Sequence, residues 1–566
     1  MEHLVSVCLL LILLAIASQR WVIMPGFHSI LLRGPPRDDF LFGVMRLMRL
    51  STHPNVLFEN WANRYGSTYR IPLLLGSHAI VVSDMKAVTH IFSKDTYTYV
   101  RSPGFRAVID QVIGRGLLWV EGDIHRRQRR TMNPAFSPTV IKRMTPAFYD
   151  ATYKLKNVWD KMLDSNAPNA AVEVEMHEWH VARINISDNE ASVRLALFPG
   201  ITVKGKLIHH SYVLRLDTIG TTVFGYHFNS LEGKKSAVEE SLRIYNTTIP
   251  TTLGKLALSL YMFLPWVGKL PTKRKQLNTN LSESAREMLE SIMVNQNQDQ
   301  ARDSQILDES IVELFVKEAE DDGVDLQSPE GKEEVLAKMK NLLIAGSDAP
   351  GIILVWALIE LARHPEIQKR VREEVMATPG AELEWRILQS SCPFLDSVLS
   401  ETLRLHPTVG ETHRMANEDD VLHLKEPILD SSGQLVDCIH IPKGTSIIIP
   451  NHYLNSSTSI WGPDGLNFNP ERWMGTYLSR SGDEPNDAIS ERRRLWTFGD
   501  GPRICVGKAF VMVQLKIVLA VLLRHFVFEL PQGPNTPLDF HLSLVRRPKV
   551  KGMKGAAMPF LISRVD

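Results

Sequence analysis

The sequence predicts a mainly helical α+β protein tethered by an N-terminal membrane helix. Three observations carry that prediction. From Arg126 onward the chain is mostly helical in character, with long runs from about Glu333 to Leu361, Phe394 to Leu405 and Lys508 to His525. The β-rich runs are few and short: Tyr69 to Leu73, Ala79 to Val82 and Ser446 to Ile449. Leu4 to Ala17 is apolar apart from Ser6, and Trp21 to Met24 extends the run past Gln19 and Arg20.

Taken in order, residues 1–24 approach the ~20 apolar residues a membrane helix needs. No basic segment precedes the run, where Glu2 and His3 stand; the positive charge follows it, at Arg20, Arg33 and Arg37. This places the body of the chain on the cytoplasmic side and favours an anchor over a cleaved signal. Residues 25–40 read as a hinge stiffened by Gly34-Pro35-Pro36, because proline fixes φ and forbids helix. Residues 41–566 read as one globular domain. Within it the long helix is followed by His364-Pro365, which restarts a helix, and the Phe394 helix stops before Pro407.

Composition sets bounds. Hydrophobic residues make up 44% and charged residues 22%, which suits a globular domain with a substantial core. The net charge of +1 gives no global attraction to nucleic acid. The four cysteines, Cys8, Cys392, Cys438 and Cys505, show no paired spacing, so neither a disulfide framework nor a zinc site is expected.

Cys505 lies in Phe498-Gly499-Asp500-Gly501-Pro502-Arg503-Ile504-Cys505-Val506-Gly507. A lone cysteine is ordinarily a buried structural residue. Here one thiol stands in a glycine-rich turn, with a cation two residues before it and a glycine two after. Gly501 permits backbone angles closed to other residues. Arg503 can pair with a carboxylate. Phe498 can shield a sulfur ligand from water, and Gly507 lets the chain pass close to a flat ligand. The pattern Phe-x-x-Gly-x-Arg-x-Cys-x-Gly resembles the haem-binding loop of the cytochrome P-450 family, with every fixed position met. Ser400-Glu401-Thr402-Leu403-Arg404-Leu405-His406-Pro407 resembles that family's Glu-x-x-Arg helix, and Phe468-Asn469-Pro470-Glu471-Arg472-Trp473 resembles the segment whose arginine completes its ion network. The resemblance runs from the anchor to about Pro559, apart from residues 181–213: Glu178-Trp179 and Leu216-Asp217-Thr218-Ile219-Gly220 resemble parts of one helix in that family, so the thirty or so residues between them read as an insertion, either a surface loop or sequence from an unremoved intron.

The resemblance implies the family's helical prism with a small β lobe and a haem b whose iron is ligated by Cys505. It implies a structural network of Glu401, Arg404 and Arg472 behind the cysteine loop. His125 and Arg129, four apart on one helical face, match the positions of an aromatic residue and an arginine that bind the haem propionates; Arg414 matches another propionate-pairing arginine. Gly346 and Asp348, in Ala345-Gly346-Ser347-Asp348-Ala349-Pro350, match the small residue that leaves room for dioxygen and the acid of the proton relay. Ala349 departs from the pattern, replacing the family's threonine, and Pro350 is expected to kink the helix.

The implied activity is monooxygenation: one oxygen atom of O₂ enters a hydrophobic small molecule (a terpenoid, steroid or aromatic compound, by analogy one of secondary metabolism). Electrons come from NADPH through cytochrome P-450 reductase, with cytochrome b5 as an optional second donor. The implied location is the endoplasmic reticulum membrane, single-pass, with the catalytic domain in the cytosol. Arg126, Arg127, Arg130, Arg492, Arg493, Arg494 and Lys508 are candidates for docking an acidic donor, against the plainer reading of a solvated basic face. The missing threonine keeps two alternatives: a haem-thiolate isomerase or dehydratase working without reductase, and a vestigial haem-binding protein. The sequons at Asn185, Asn246, Asn280 and Asn455 are expected to stay unmodified in the cytosol, and Glu318 to Asp322 reads as a solvated acidic loop.

Overall fold

The computed structural model describes residues 32–166, 171–176, 193–194, 202–203, 217–228, 273–299, 311–474 and 495–565, leaving out 41, 52–53, 322, 327, 379, 381 and 543–544. The predicted anchor, 1–24, lies outside the described residues. The helices named below are α1 Pro54–Tyr65, α2 Met85–Ser93, α3 Pro103–Ile113, α4 Gly122–Met132, α5 Pro138–Asp164, α6 Lys273–Asp299, α7 Ile311–Asp321, α8 Pro329–Arg363, α9 Pro365–Ala377, α10 Pro393–Leu405 and α11 Lys508–His525. The strands are β1 Thr68–Pro72, β2 His78–Val82, β3 Tyr99–Val100, β4 Val172–Glu175, β5 Val193–Arg194, β6 Thr202–Val203, β7 Thr412–Ala416, β8 Asp420–Leu429, β9 Leu435–Ile441, β10 Ser446–Ile449, β11 Phe526–Glu529, β12 Leu538–Leu542, β13 Arg546–Val550 and β14 Pro559–Arg564.

Two apolar cores organise these elements. The larger joins α5, α8, α10 and α11. The smaller lies between α1, α2 and a five-stranded sheet ordered β1-β2-β10-β7-β3, in which only the β2–β10 pair is parallel. The three β-rich runs read from the sequence fall on β1, β2 and β10. The last two predicted helices fall on α10 and α11.

Helix α8 begins earlier than its hydrophobic pattern, at Pro329, because the Ser328 hydroxyl accepts from the Gly331 amide and Pro329 occupies the first turn, where no partner for its nitrogen is needed. It continues through Pro350 to Arg363. Its apolar surface is continuous rather than confined to one stripe, as fits a helix surrounded by protein. Among the described residues, Gly331–Arg363 is the one helix long and apolar enough to cross a membrane, and it is mostly buried in the core.

One sequence reading changes. The acidic run as far as Asp321 is the end of α7 rather than a loop, and only part of it is solvated: Glu320 and Asp321 are exposed, whereas Glu318 is buried, its carboxylate meeting Lys338 at 3.1 Å and Arg127 at 3.6 Å. Glu318 reads as solvated only because its cationic partners come from other segments. Arg33 and Gly34, at the start of the proline-stiffened segment, pack against β1. Arg70 donates its amide to the Arg33 carbonyl at 2.9 Å, and a side chain at Gly34 would collide with the Arg70 carbonyl. Within 181–213 the described residues form one short antiparallel pairing, β5 with β6.

Candidate active site

The cysteine loop is built by two tight turns. Gly499 and Gly501 have φ of +68° and +64°, and a Cβ on Gly501 would enter the Phe92 carbonyl at the end of α2. The Cys505 amide donates to the Phe498 carbonyl at 2.8 Å, which closes the loop. Gly507 then leads into α11 with ordinary negative φ, and a Cβ there would meet nothing within 4 Å. Cys505 is surface-accessible yet deeply set. That enclosure pushes its thiol pKa up, while the Gly507 amide, Arg129 and Lys508 pull it down. These donors and cations, at the start of a helix, favour the thiolate once a metal replaces the proton.

Behind the loop lies the ion network. Arg404 is fully buried on α10 and forks onto Glu401, with Nε–Oε2 at 2.8 Å and Nη2–Oε1 at 2.7 Å. It also donates to the carbonyls of Asn455, Gly465 and Asn467. Arg472 approaches Glu401 at 3.5 Å and pairs with Asp464 at 2.7 Å. Glu401 further accepts from the Asn469 amide and the Trp473 indole. The link to the cysteine loop runs through Asn455, whose side chain accepts from the Trp496 amide and donates to Thr497. Thr497 in turn donates to the Leu403 carbonyl. Asn455, one of the four sequons, is fully buried in this role.

A cationic cluster adjoins the loop. Arg414 forks onto Asp95 at 3.0 and 2.6 Å. Arg503 donates to Glu121 and to the Val120 carbonyl at 2.5 Å. Burial lowers the pKa of Arg503, against Glu121 and Asp95, which raise it. Arg101 has its pKa held well below normal by burial and by the nearby Arg414 and Arg503. His125 is 2% exposed, and burial, with Arg503, pulls its pKa down to about 3, so the ring is neutral. Arg129 holds Asn133 at 2.9 Å. Sequence reasoning missed Arg101, Asp95 and Glu121: each lies outside the matched motifs, and Asp95 meets Arg414 across 319 residues. The signal available was Arg101 itself, a cation next to an apolar run.

The donor set fits a haem. Three guanidinium groups, Arg101, Arg414 and Arg503, are coupled to two carboxylates, Asp95 and Glu121, while a fourth, Arg129, stands toward Cys505; this excess of cations suits the acidic edge of a haem. The Nε atoms of Arg101 and Arg503 are buried and make no hydrogen bond to protein, although the latter lies 3.4 Å from Asp95. The open side of Gly507 leaves room for a flat ring.

On α8, Asp348 is 8% exposed and ion-pairs with Arg547 of β13, itself 2% exposed. A Cβ on Gly346 would strike the side chain of Ile219, so this glycine admits the crossing segment 217–224. The docking candidates divide. Arg126, Arg130 and Lys508 are exposed, Arg127 also pairs inward with Glu318 and Glu334 at 3.6 and 3.7 Å, and Arg492, Arg493 and Arg494 lie outside the described residues.

A cysteine in a glycine-bounded loop, a buried Glu–Arg network behind it and a cation-rich edge define a haem-thiolate protein. The family model for cytochrome P450 matches residues 33–182 and 212–554, passing over 183–211. The chain belongs to the cytochrome P450 family, whose members bind haem iron through a cysteine thiolate. It is 37% identical to cytochrome P450 monooxygenase claP of Ampulloclitocybe clavipes over 540 residues, 94% of this chain and 93% of the relative. It is likewise 37% identical to claO of the same fungus, with the same coverage, and 28% identical to cytochrome P450 monooxygenase 205 of Postia placenta over 94% and 92% of the two chains. The protein is a cytochrome P450 monooxygenase.

Proposed function

We propose that Cys505 would ligate the haem iron and that the enzyme inserts one oxygen atom from O₂ into a hydrophobic small molecule in secondary metabolism. The substrate is a terpenoid, steroid or aromatic compound, and electrons come from NADPH through a membrane-bound reductase. The observation that carries this reading is the excess of buried cations beside the Cys505 loop. When bound, the haem supplies the oxygen-activating chemistry. The chain's residues do the rest. Arg101, Arg414, Arg503, Arg129 and neutral His125 hold and orient the acidic edge. The Gly507 amide and the start of α11 stabilise the sulfur charge. Asp348 holds a proton-exchanging carboxylate on α8, paired with Arg547. Arg126, Arg130 and Lys508 offer an exposed basic surface to an acidic electron donor. Residues 1–24 anchor the chain in the endoplasmic reticulum membrane with this face in the cytosol, and 181–213 is an insertion.

Ala349 favours one second reading, a reductase-independent isomerase or dehydratase, since that chemistry does not need the missing hydroxyl. The test is the reduced, carbon-monoxide-bound difference spectrum of the full chain in membranes, followed by NADPH oxidation with and without reductase. A strongly red-shifted Soret band and reductase-dependent NADPH use support the proposal. Turnover without either NADPH or reductase moves it to the isomerase class.

A further inference from the structure

The acid matched on α8 is placed by a strand 199 residues further along the chain. Asp348 is a short side chain in the middle of a helix. Beside it, Ala349 offers only a methyl group. Pro350 has no N–H for the Gly346 carbonyl one turn back, so that carbonyl lacks its usual helical partner. A group from outside α8 meets the carboxylate. Arg547 does so from β13, through a buried ion pair.

The strand that carries Arg547 is itself held in place. Arg546, facing the other way by strand alternation, donates to the Ser51 and Met48 carbonyls at 3.1 and 3.3 Å. Its guanidinium lies 5.9 Å from the Phe540 ring. His541, buried on β12, stands directly opposite Arg547 in the strand register. The guanidinium therefore reaches α8 from a braced hairpin, and its planar fork presents fixed donors to the carboxylate.

We infer that Arg547 is the positioning residue for Asp348: the β12–β13 hairpin fixes where the acid points in a site that lacks the family's hydroxyl. The inference rests on the monooxygenase reading above. Its consequence is a partition of oxygen. With poor proton delivery, NADPH, H⁺ and O₂ give NADP⁺ and H₂O₂. With good delivery and no substrate, two NADPH, two H⁺ and O₂ give two NADP⁺ and two H₂O. The ratio of H₂O₂ released to O₂ consumed reads the split without knowledge of the substrate.

The experiment uses the full-length, haem-loaded enzyme in membranes with reductase and NADPH. It compares Arg547→Met, Arg547→Lys and Asp348→Asn with the parent, normalised to carbon-monoxide-binding haem. Arg547→Met and Asp348→Asn are expected to raise H₂O₂ per O₂ by similar factors, at least about twofold, which is small against the ~10²–10⁴-fold effect of a positioned acid. Arg547→Lys should restore part of the parental ratio. A parental ratio in Arg547→Met overturns the inference, as does a raised ratio that Arg547→Lys leaves unchanged. A second readout is independent of turnover: the melting temperatures of the haem-loaded Arg547→Met, Asp348→Asn and double variants. A double variant that loses less than the sum of the singles supports the pair, and strict additivity overturns it. If the parent consumes no NADPH, the monooxygenase reading falls, while the melting cycle still decides whether the pair exists.

Discussion

Replacing Arg404 with alanine should yield a protein without haem. The guanidinium is fully buried and makes five hydrogen bonds, two to Glu401 and one each to the carbonyls of Asn455, Gly465 and Asn467. Removing it strands the Glu401 carboxylate, a loss of about 3–5 kcal/mol when one partner of a buried pair is deleted. Each carbonyl left dry adds about 1–3 kcal/mol. These terms share one site and do not simply add, but a total near 5 kcal/mol or more is comparable with the whole ~5–15 kcal/mol stability of a typical domain. The damage also reaches the cysteine loop, because Asn455 is held by Arg404 on one side and holds Trp496 and Thr497 on the other. Haem per protein, read by the reduced carbon monoxide spectrum, and thermal unfolding by circular dichroism measure the effect. Arg404→Lys keeps the charge but loses the fork and should fall between the two. Arg404→Ala with normal haem content and an unchanged melting temperature would refute the reasoning.

Three further outcomes are expected. His125, with its folded pKa pulled from 6.5 to about 3, is neutral in the fold while the unfolded ring takes up a proton below 6.5, so the stability it contributes is lost as pH falls from 6.5 toward 3; His125→Gln cannot titrate and should flatten that acid limb in melting curves. Gly501→Ala forces a side chain into positive φ and into the Phe92 carbonyl, with a strain of about 1–3 kcal/mol before the collision is counted; haem content should drop sharply, whereas Gly507→Ala, with ordinary φ, should fold and lose haem only through contact with the ring. Ala349→Thr should raise product formed per NADPH consumed, and an unchanged ratio would show that another group already delivers the proton.

Where the sequence was readable, the chemistry was contiguous. Ten consecutive residues hold the thiol, the cation and the turn glycines, and the turns are local consequences of those glycines. Glu401 and Arg404 lie three apart on one helix, where side chains meet whatever the rest of the chain does. Arg472 required the resemblance, since nothing local brings it to Glu401. The less readable parts are ion pairs closed by topology. Asp95 is an unremarkable acid after α2 until β7 carries Arg414 against it. Glu318 looks solvated until α8 supplies Lys338. Asp348 looks like a helix acid until β13 supplies Arg547. In each case the sequence shows one charge and hides its partner, because burial of a charge is decided by where the opposite charge arrives. The departure at Ala349 was visible at once, but what orients the acid beside it was not. A site that loses a hydroxyl on one element can hold its acid from another, and only the folded chain shows which element that is.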